Sequence, residues 1–398
     1  ARVKESIVKK IAAESLVTRL IEWGVDTVYG LPGDGINGLF EALRRHQDEL
    51  KFVLVHHEEA AAFMACAHAK TTGKLGVCMA TSGPGGVHLL NGLYDAKLDH
   101  MPVLAITGMQ ETSLLGTGYQ QEVHLEKLYE NVAEYDVMIT NPLHVSTLVD
   151  LAVRHALSRR TVSHITFPND IQVAAADEDP YDHVAPARPP KTAAVYFASP
   201  GRPRESDVQR LADVLNDGKK IAILAGAGAL HAREGLLALA QKLQAPIVKT
   251  LPGKAAVPDD SPYTTGGIGL LGTRPSEHLM QEIDTLLMVG TNFPYTKHLP
   301  APDKVRVVQI EADPIRAGNR MPTEAPVVGD AKESIEALLP LVTARTDRKF
   351  LAKYQDEMHK WREEMESTEN GDREPIAPQY LISLINRQAD DDAILTCD

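Results

Sequence analysis

The sequence predicts an α/β protein made of successive doubly wound parallel sheets. Three observations carry that expectation. Short apolar runs alternate with longer segments at helical spacing, as in βαβ units whose sheet is covered on both faces. Glycine-rich turns follow many of those runs, where a strand hands over to a helix. The chain has 398 residues, enough for two or three domains at about 150 residues each.

Taken in order, Ile7, Ile11, Val17, Leu20 and Ile21 recur at roughly helical spacing and predict an opening amphipathic helix. Residues 26–30 read as a short strand ending on a glycine turn, 51–56 as a second strand, and 57–70 as an Ala-rich helix. Residues 76–81, 103–107 and 164–167 supply further strands. Pro180, Pro186, Pro189, Pro190, Pro200 and Pro203 then mark an extended linker. A second α/β unit follows, with strands predicted at 221–224, 246–249, 285–289 and 305–310. Residues 343–373 are highly charged, with Tyr354 and Trp361 as their main anchors, and predict a solvated helical linker. Residues 379–387 read as a helix and 393–396 as a buried strand, so a third unit begins and stops. A lone strand cannot bury both faces, and a truncated third domain is the expectation. The predicted organisation is therefore a domain over 1–175, a linker over 176–204, a domain over 205–342, a linker over 343–375 and the start of a third domain over 376–398.

Composition narrows the function. Lys plus Arg number 41 against 54 Asp plus Glu, a formal net charge of −13, which argues against a nucleic-acid partner. Hydrophobic residues at 43% and charged residues at 24% suit a folded soluble protein. The longest apolar stretch, 221–230, falls short of the roughly 18 residues of a membrane span. Cys66, Cys78 and Cys397 lack metal-ligand spacing, so neither a disulfide framework nor a zinc site is expected. No secretory leader opens the chain, and a cytoplasmic location is expected.

Several segments have the chemistry of a binding site. Gly30-Leu31-Pro32-Gly33-Asp34-Gly35 joins a strand to a helix, either as a tight turn or as backbone brought close to a ligand. Glu58 and Glu59 open the Ala-rich helix, where acids complement the helix dipole. Their small apolar neighbours place at least one carboxylate against a packed interior, where it needs a hydrogen-bonding partner and is suited to proton transfer. Thr81-Ser82-Gly83-Pro84-Gly85-Gly86 offers hydroxyls and backbone N–H groups ahead of a helix containing Asn91, without the Lys of a nucleotide P-loop. Gln120-Gln121-Glu122 lies in a Gly-rich stretch that reads as solvated. In the second unit Gly226-Ala227-Gly228 begins like a dinucleotide fingerprint, with His231 in the place of the third glycine. Glu311 and Asp330 sit at strand ends, where acids bind ribose hydroxyls or an adenine amine. The runs containing Ile268-Gly269-Leu270-Leu271 and Thr291-Asn292-Phe293-Pro294-Tyr295 add loops at the edge of the same sheet. Together these favour a dinucleotide site.

In combination and order, Gly30-Leu31-Pro32-Gly33, His57-Glu58, Thr81 to Gly85 with Asn91, Gln121-Glu122 and Pro168-Asn169-Asp170 resemble the thiamine-diphosphate-dependent 2-oxoacid enzymes. The resemblance extends over essentially the whole chain. It implies a pyrimidine-binding domain, then a central domain, with a missing third domain that would hold the diphosphate and Mg2+. The central loops are similar to those of the FAD-containing pyruvate oxidases and pyruvate:quinone dehydrogenases, with FAD-containing acetolactate synthases as the alternative. The resemblance further implies that Glu58 hydrogen-bonds the aminopyrimidine, that Gln121 and His124 line the substrate side, and that the substrate is a small 2-oxoacid. It implies at least a homodimer, or a homotetramer. The membrane contact of the quinone-linked relatives belongs to a far C-terminal element. Asp34 lies in a Gly-Asp-Gly by coincidence and is not assigned to magnesium. A polypeptide ending at Asp398 would lack the diphosphate ligands and is expected to be inactive, which keeps open a flavin- or nucleotide-binding protein without catalysis.

Overall fold

The predicted alternation folds into one six-stranded parallel sheet in each of two units, Ala1–Ala198 and Ser199–Asp398. The structure is a computed structural model that describes residues 10–176 and 201–396. Ile7, most of the predicted Pro-rich linker and Cys397 lie outside the described residues.

The first unit runs α1 (Ala12–Glu22), β1 (Thr27–Gly30), α2 (Asn37–Arg45), β2 (Lys51–Leu54), α3 (Glu58–Thr72), β3 (Gly76–Ala80), α4 (Pro84–Leu98) and β4 (Val103–Met109). It continues through α5 (Leu125–Tyr129), β5 (Ala133–Met138), α6 (Val145–Arg159), β6 (Val162–Pro168) and α7 (Asn169–Val173). The strand order is β2-β1-β3-β4-β6-β5. β3, β4 and β6 are buried along their whole length, so β3 and β4 read as largely apolar runs while β6 carries buried Ser163, His164 and Thr166 among its apolar residues. Two apolar clusters cover the two faces, one built on α1, α2 and α6 and the other on α3 and α4. The alanines of α3 serve close packing: a Cβ on Gly92 of α4 would stand 2.6 Å from the Phe63 nitrogen.

The second unit runs α8 (Glu205–Asp217), β7 (Ile221–Ala225), α9 (Arg233–Leu243), β8 (Ile247–Lys249), β9 (Thr264–Gly267), α10 (Arg274–Glu282) and β10 (Thr285–Val289). β11 (Arg306–Glu311), β12 (Ala325–Val328), α11 (Ala331–Leu338), α12 (Lys349–Thr368) and α13 (Pro378–Gln388) complete it. Its strand order is β12-β11-β10-β7-β8-β9. In both sheets the chain starts near the middle, builds to one side and then crosses to the other. That reversal creates a switch point at β1/β3 and another at β7/β10, each opening a crevice at the carboxyl ends of the strands.

Four expectations are corrected. β5 carries Glu134 and Asp136, and β9 reads Thr-Thr-Gly-Gly, so neither shows an apolar run; both are edge strands. Residues 393–396 form no strand, and Ile394 is 90% exposed. The helix of the opening segment starts at Ala12, with Ile11 bridged to Ala175 instead. The charged segment is no solvated linker, because Leu351, Tyr354 and Met358 share one buried face of α12. Tyr354 Oη donates to Glu282 Oε2 at 2.8 Å, and Lys353 also pairs with Glu282, tying α12 to α10. Apolar residues at helical spacing were hidden by the charges between them.

Tyr354→Ala removes a fully buried ring and should cost about 3–5 kcal/mol. Hydrogen exchange checks this: amides of α12 and α10 should exchange faster while those of the first sheet are unchanged.

Candidate functional site

At the β1/β3 switch point two loops touch through glycines. Gly35 N–H donates to Thr81 Oγ1 at 3.1 Å. A Cβ on Gly33 would stand 2.7 Å from Thr81 Oγ1, and one on Gly35 would stand 2.7 Å from Ser82 Oγ. Gly30 is equally confined, since its Cβ would meet the Met79 backbone oxygen at 2.7 Å. The glycines of the Gly30–Gly35 loop are thus required by the close approach of Met79, Thr81 and Ser82. Pro32 and Pro84 are exposed on the rims of the two loops.

Glu58 enters this crevice from the first turn of α3. His57 caps the helix, its Nδ1 accepting the Glu59 N–H at 3.3 Å, which sets Glu58 at the first helical position. The Glu58 residue is 6% exposed, a placement that demands a partner. His88 of α4 supplies it through Nδ1, 2.9 Å from Glu58 Oε2. The other oxygen, Oε1, faces Gly85, where a Cβ would stand 3.3 Å away. Glu59 points elsewhere and accepts from Asn91 Nδ2. Asn91 is therefore held by Glu59 rather than by the Thr81–Gly86 loop.

His57, Glu58 and His88 have potential ligand atoms within 4.8 Å of one another. The two imidazoles stack at 4.5 Å with 26° between planes, so their in-plane lone pairs run side by side and do not converge on one ion.

Gln121 reaches the same crevice from the long loop after β4. Its φ of +61° is a left-handed value that costs about 1–2 kcal/mol in a residue with a Cβ. It lies against Gly83, also at φ +61°, whose Cβ would meet the Gln121 Cβ at 2.8 Å. Gln110 Nε2 donates to the Gln120 carbonyl at 2.8 Å and to Ser82 Oγ at 3.3 Å. The stretch is not merely solvated. Glu122 accepts the backbone N–H groups of Gly116, Gly118 and Tyr119, and so folds the loop that presents Gln121. His124 is exposed at the start of α5 and gives it no side-chain cap.

The β7/β10 switch point repeats the glycine contact. Gly228 N–H donates to the Gly290 carbonyl at 3.0 Å. A Cβ on Gly226 would stand 2.5 Å from that carbonyl oxygen. The Gly226-Ala227-Gly228 turn therefore serves a loop crossing, and its second glycine N–H is already engaged. Asp330 needs a similar correction. Its Oδ1 caps α11 by accepting from Lys332 and Glu333, and its Oδ2 lies 2.8 Å from His231 Nε2. Burial works to raise its pKa, but the His231 and backbone contacts outweigh it and hold the carboxyl below the usual range. Both oxygens have partners within the protein.

Other groups of this crevice remain open. Glu311 ends β11 and is 6% exposed. Burial pushes its pKa up against the pull of the Asp313 and Ala312 backbone N–H groups. Asn292 Oδ1 is buried without a hydrogen-bond partner among the described residues, and Thr291 is positioned by Gln309 Nε2, which donates to its carbonyl at 3.1 Å. Phe293 is buried and meets the exposed Tyr295 edge to face. Pro294 between them is exposed. Ile268 is buried, Gly269 (φ +100°) lies against the Phe293 ring, and Leu270 and Leu271 are 91% and 80% exposed.

Sequence reasoning missed His88, Gln110 and Gln309, whose partners lie elsewhere in the chain. It also missed Lys249, fully buried at the end of β8 and held by the Val257 carbonyl and Asp259. No local signal distinguishes any of them.

A pair of doubly wound units, each with a glycine-crossed switch point and open polar groups beside it, defines a cofactor-binding α/β protein. Residues 11–128 match the thiamine pyrophosphate enzyme N-terminal TPP binding domain, and 208–338 match the central domain of the same enzymes. The chain belongs to the thiamine pyrophosphate enzyme family. It is 39% identical to the putative thiamine pyrophosphate-containing protein YdaP of Bacillus subtilis over 98% of this chain and 66% of that one. It is 33% identical to a pyruvate oxidase of Lactiplantibacillus plantarum over 100% of this chain and 65% of that one. An acetolactate synthase large subunit of Parasynechococcus marenigrum is 29% identical over 97% and 63%. The chain thus spans about two thirds of the length of these relatives. Among the described residues no helix is long and apolar enough to cross a membrane.

The Glu122 contacts carry a pH dependence. The Gly116 N–H bond, opposed by burial and joined by Gly118 and Tyr119, holds its carboxyl below its ordinary 4.5. A carboxyl lowered by folding stabilises above its unfolded value and loses that contribution as pH falls through the folded one. The 116–122 loop should stay ordered above about pH 4.5 and loosen on further acidification. Amide chemical shifts of Gly116 and Gly118 report it, and Glu122→Gln should show the loosened shifts at neutral pH.

Proposed function

We propose that this chain is the pyrimidine-binding and flavin-binding portion of an enzyme that oxidatively decarboxylates pyruvate, with electrons passing through FAD to a quinone or oxygen. The observation that carries the reading is Glu58, a buried carboxylate with one protein partner and its second oxygen turned toward a glycine-walled crevice. Thiamine diphosphate, when bound, supplies the electron sink that makes decarboxylation of a 2-oxoacid feasible. The residues fit its aminopyrimidine end. Glu58 would hold a proton at the ring nitrogen, and the Gly30–Gly35 and Thr81–Gly86 loops would bring backbone close to the ring. Gln121, held against Gly83, would face the substrate. In this reading the diphosphate and Mg2+ are bound by groups outside the chain, and a second subunit completes the site.

For FAD the supporting groups are those still open in the second crevice. The unpartnered Asn292 Oδ1, the Thr291–Tyr295 loop with its aromatic pair, and Glu311 would meet the polar and ring portions of the cofactor. Exposed Leu270 and Leu271 would cover its apolar face. The Phe293-Pro294-Tyr295 sequence favours pyruvate oxidation over acetolactate synthesis, the second reading, whose counterpart loop is usually rich in charged residues.

The natural protein carrying this chain should be yellow, and pyruvate should bleach its flavin band without oxygen when thiamine diphosphate and Mg2+ are present. Glu58→Gln should slow bleaching by about 10²-fold or more with the flavin retained. Normal bleaching in that variant would sink the role given to Glu58, and acetolactate formed without bleaching would support the second reading.

A further inference from the structure

His88 occupies a position that the buried carboxylate alone does not explain. Glu58 could have been satisfied by a backbone N–H or an amide, yet it meets an imidazole whose side chain is 42% exposed while its own is 8% exposed. Nδ1 of His88 contacts Glu58 Oε2 at 2.9 Å. Nε2 has no hydrogen-bond partner among the described residues, and the ring that carries it is 42% exposed. One ring thus faces a shielded carboxyl with one nitrogen and solvent with the other, the arrangement of a bifunctional proton carrier. His57 stacks on the ring and fixes its plane. Charged or titratable neighbours are few. From α3 there are His57 and Glu59, the latter occupied by Asn91, and from the loop before α4 only the uncharged Thr81 and Ser82. Asp95, further along α4, belongs to a separate cluster with Cys66 and Lys70.

We propose that His88 is the group through which the Glu58 carboxyl exchanges its proton with solvent. The proton on Oε2 passes to Nδ1 as the proton on Nε2 passes to water, and uptake reverses both transfers. No electrons move, and the net change is one proton between carboxyl and water. Its importance for turnover rests on the Glu58 reading above; the exchange itself does not. His88 is a positioning and relay residue, since it acts through Glu58.

The test uses the chain without cofactor. The Glu58 carboxyl band is isolated as the infrared difference between the native chain and Glu58→Gln, at a pH where that carboxyl is protonated. Its hydrogen–deuterium exchange is followed after rapid mixing with D2O. Native exchange should finish within the mixing time. His88→Phe keeps a ring beside His57 but carries no proton, and should slow exchange by about 10²-fold. His88→Asn keeps an amide donor for Oε2 and should be similarly slow, with added imidazole accelerating both variants. Fast exchange in His88→Phe would overturn the proposal. So would slow exchange in His88→Phe with fast exchange in His88→Asn, which would leave His88 a structural partner only. If Glu58→Gln leaves flavin bleaching intact while exchange still depends on His88, the functional reading fails and the relay stands.

Discussion

Everything at the first site depends on two strand-to-helix loops being allowed to touch. Gly30, Gly33 and Gly35 leave no room for a Cβ against Met79, Thr81 and Ser82. That contact lets the carboxyl ends of β1 and β3 sit side by side and fixes where the following helices begin. α4 then starts at Pro84 with Gly85 facing Glu58. A side chain at Gly33 or Gly35 would push the loops apart and move the carboxylate away from the crevice, and one at Gly30 would also press on Met79 of the apolar core.

The same device recurs at β7/β10, where Gly226 and Gly228 cross Gly290. Two sheets of different strand order have therefore solved one problem in one way. The reversal of direction opens a crevice, and adjacent loops pass with a glycine where the neighbour comes too close for a Cβ. The polar groups beside the two crossings differ. Beside β1/β3 stand a carboxylate, an imidazole and an amide. Beside β7/β10 stand a buried amide oxygen, a carboxylate at a strand end and exposed apolar side chains.

Burial and partnership separate residues that look alike in the sequence. Glu58 and Glu59 are adjacent, yet one turns inward to His88 and the other outward to Asn91. Glu311 and Asp330 both stand at strand ends, yet only Asp330 has both oxygens taken up by a helix cap and a histidine. Glu122, by sequence one polar residue in a solvated Gly-rich stretch, organises the loop that holds Gln121 in a left-handed conformation.

The sequence by itself determined the fold class, the central strands and the place of the glycine loops. Buried parallel strands are mostly apolar, and a close crossing of loops calls for glycine, so both leave marks readable one residue at a time. Edge strands such as β5 and β9, half exposed or without apolar side chains, left no such mark. The α12 helix was legible as a helix but not as part of the second unit, because its buried face is three residues scattered among charges. The small neighbours of Glu58 announced that a carboxylate would be enclosed. Only the tertiary structure decided which one, that His88 would be its partner, and that Asp330 would be used up as a cap. Those outcomes are contacts between residues tens of positions apart, set by how helices and loops meet over the sheet, and no local pattern encodes them.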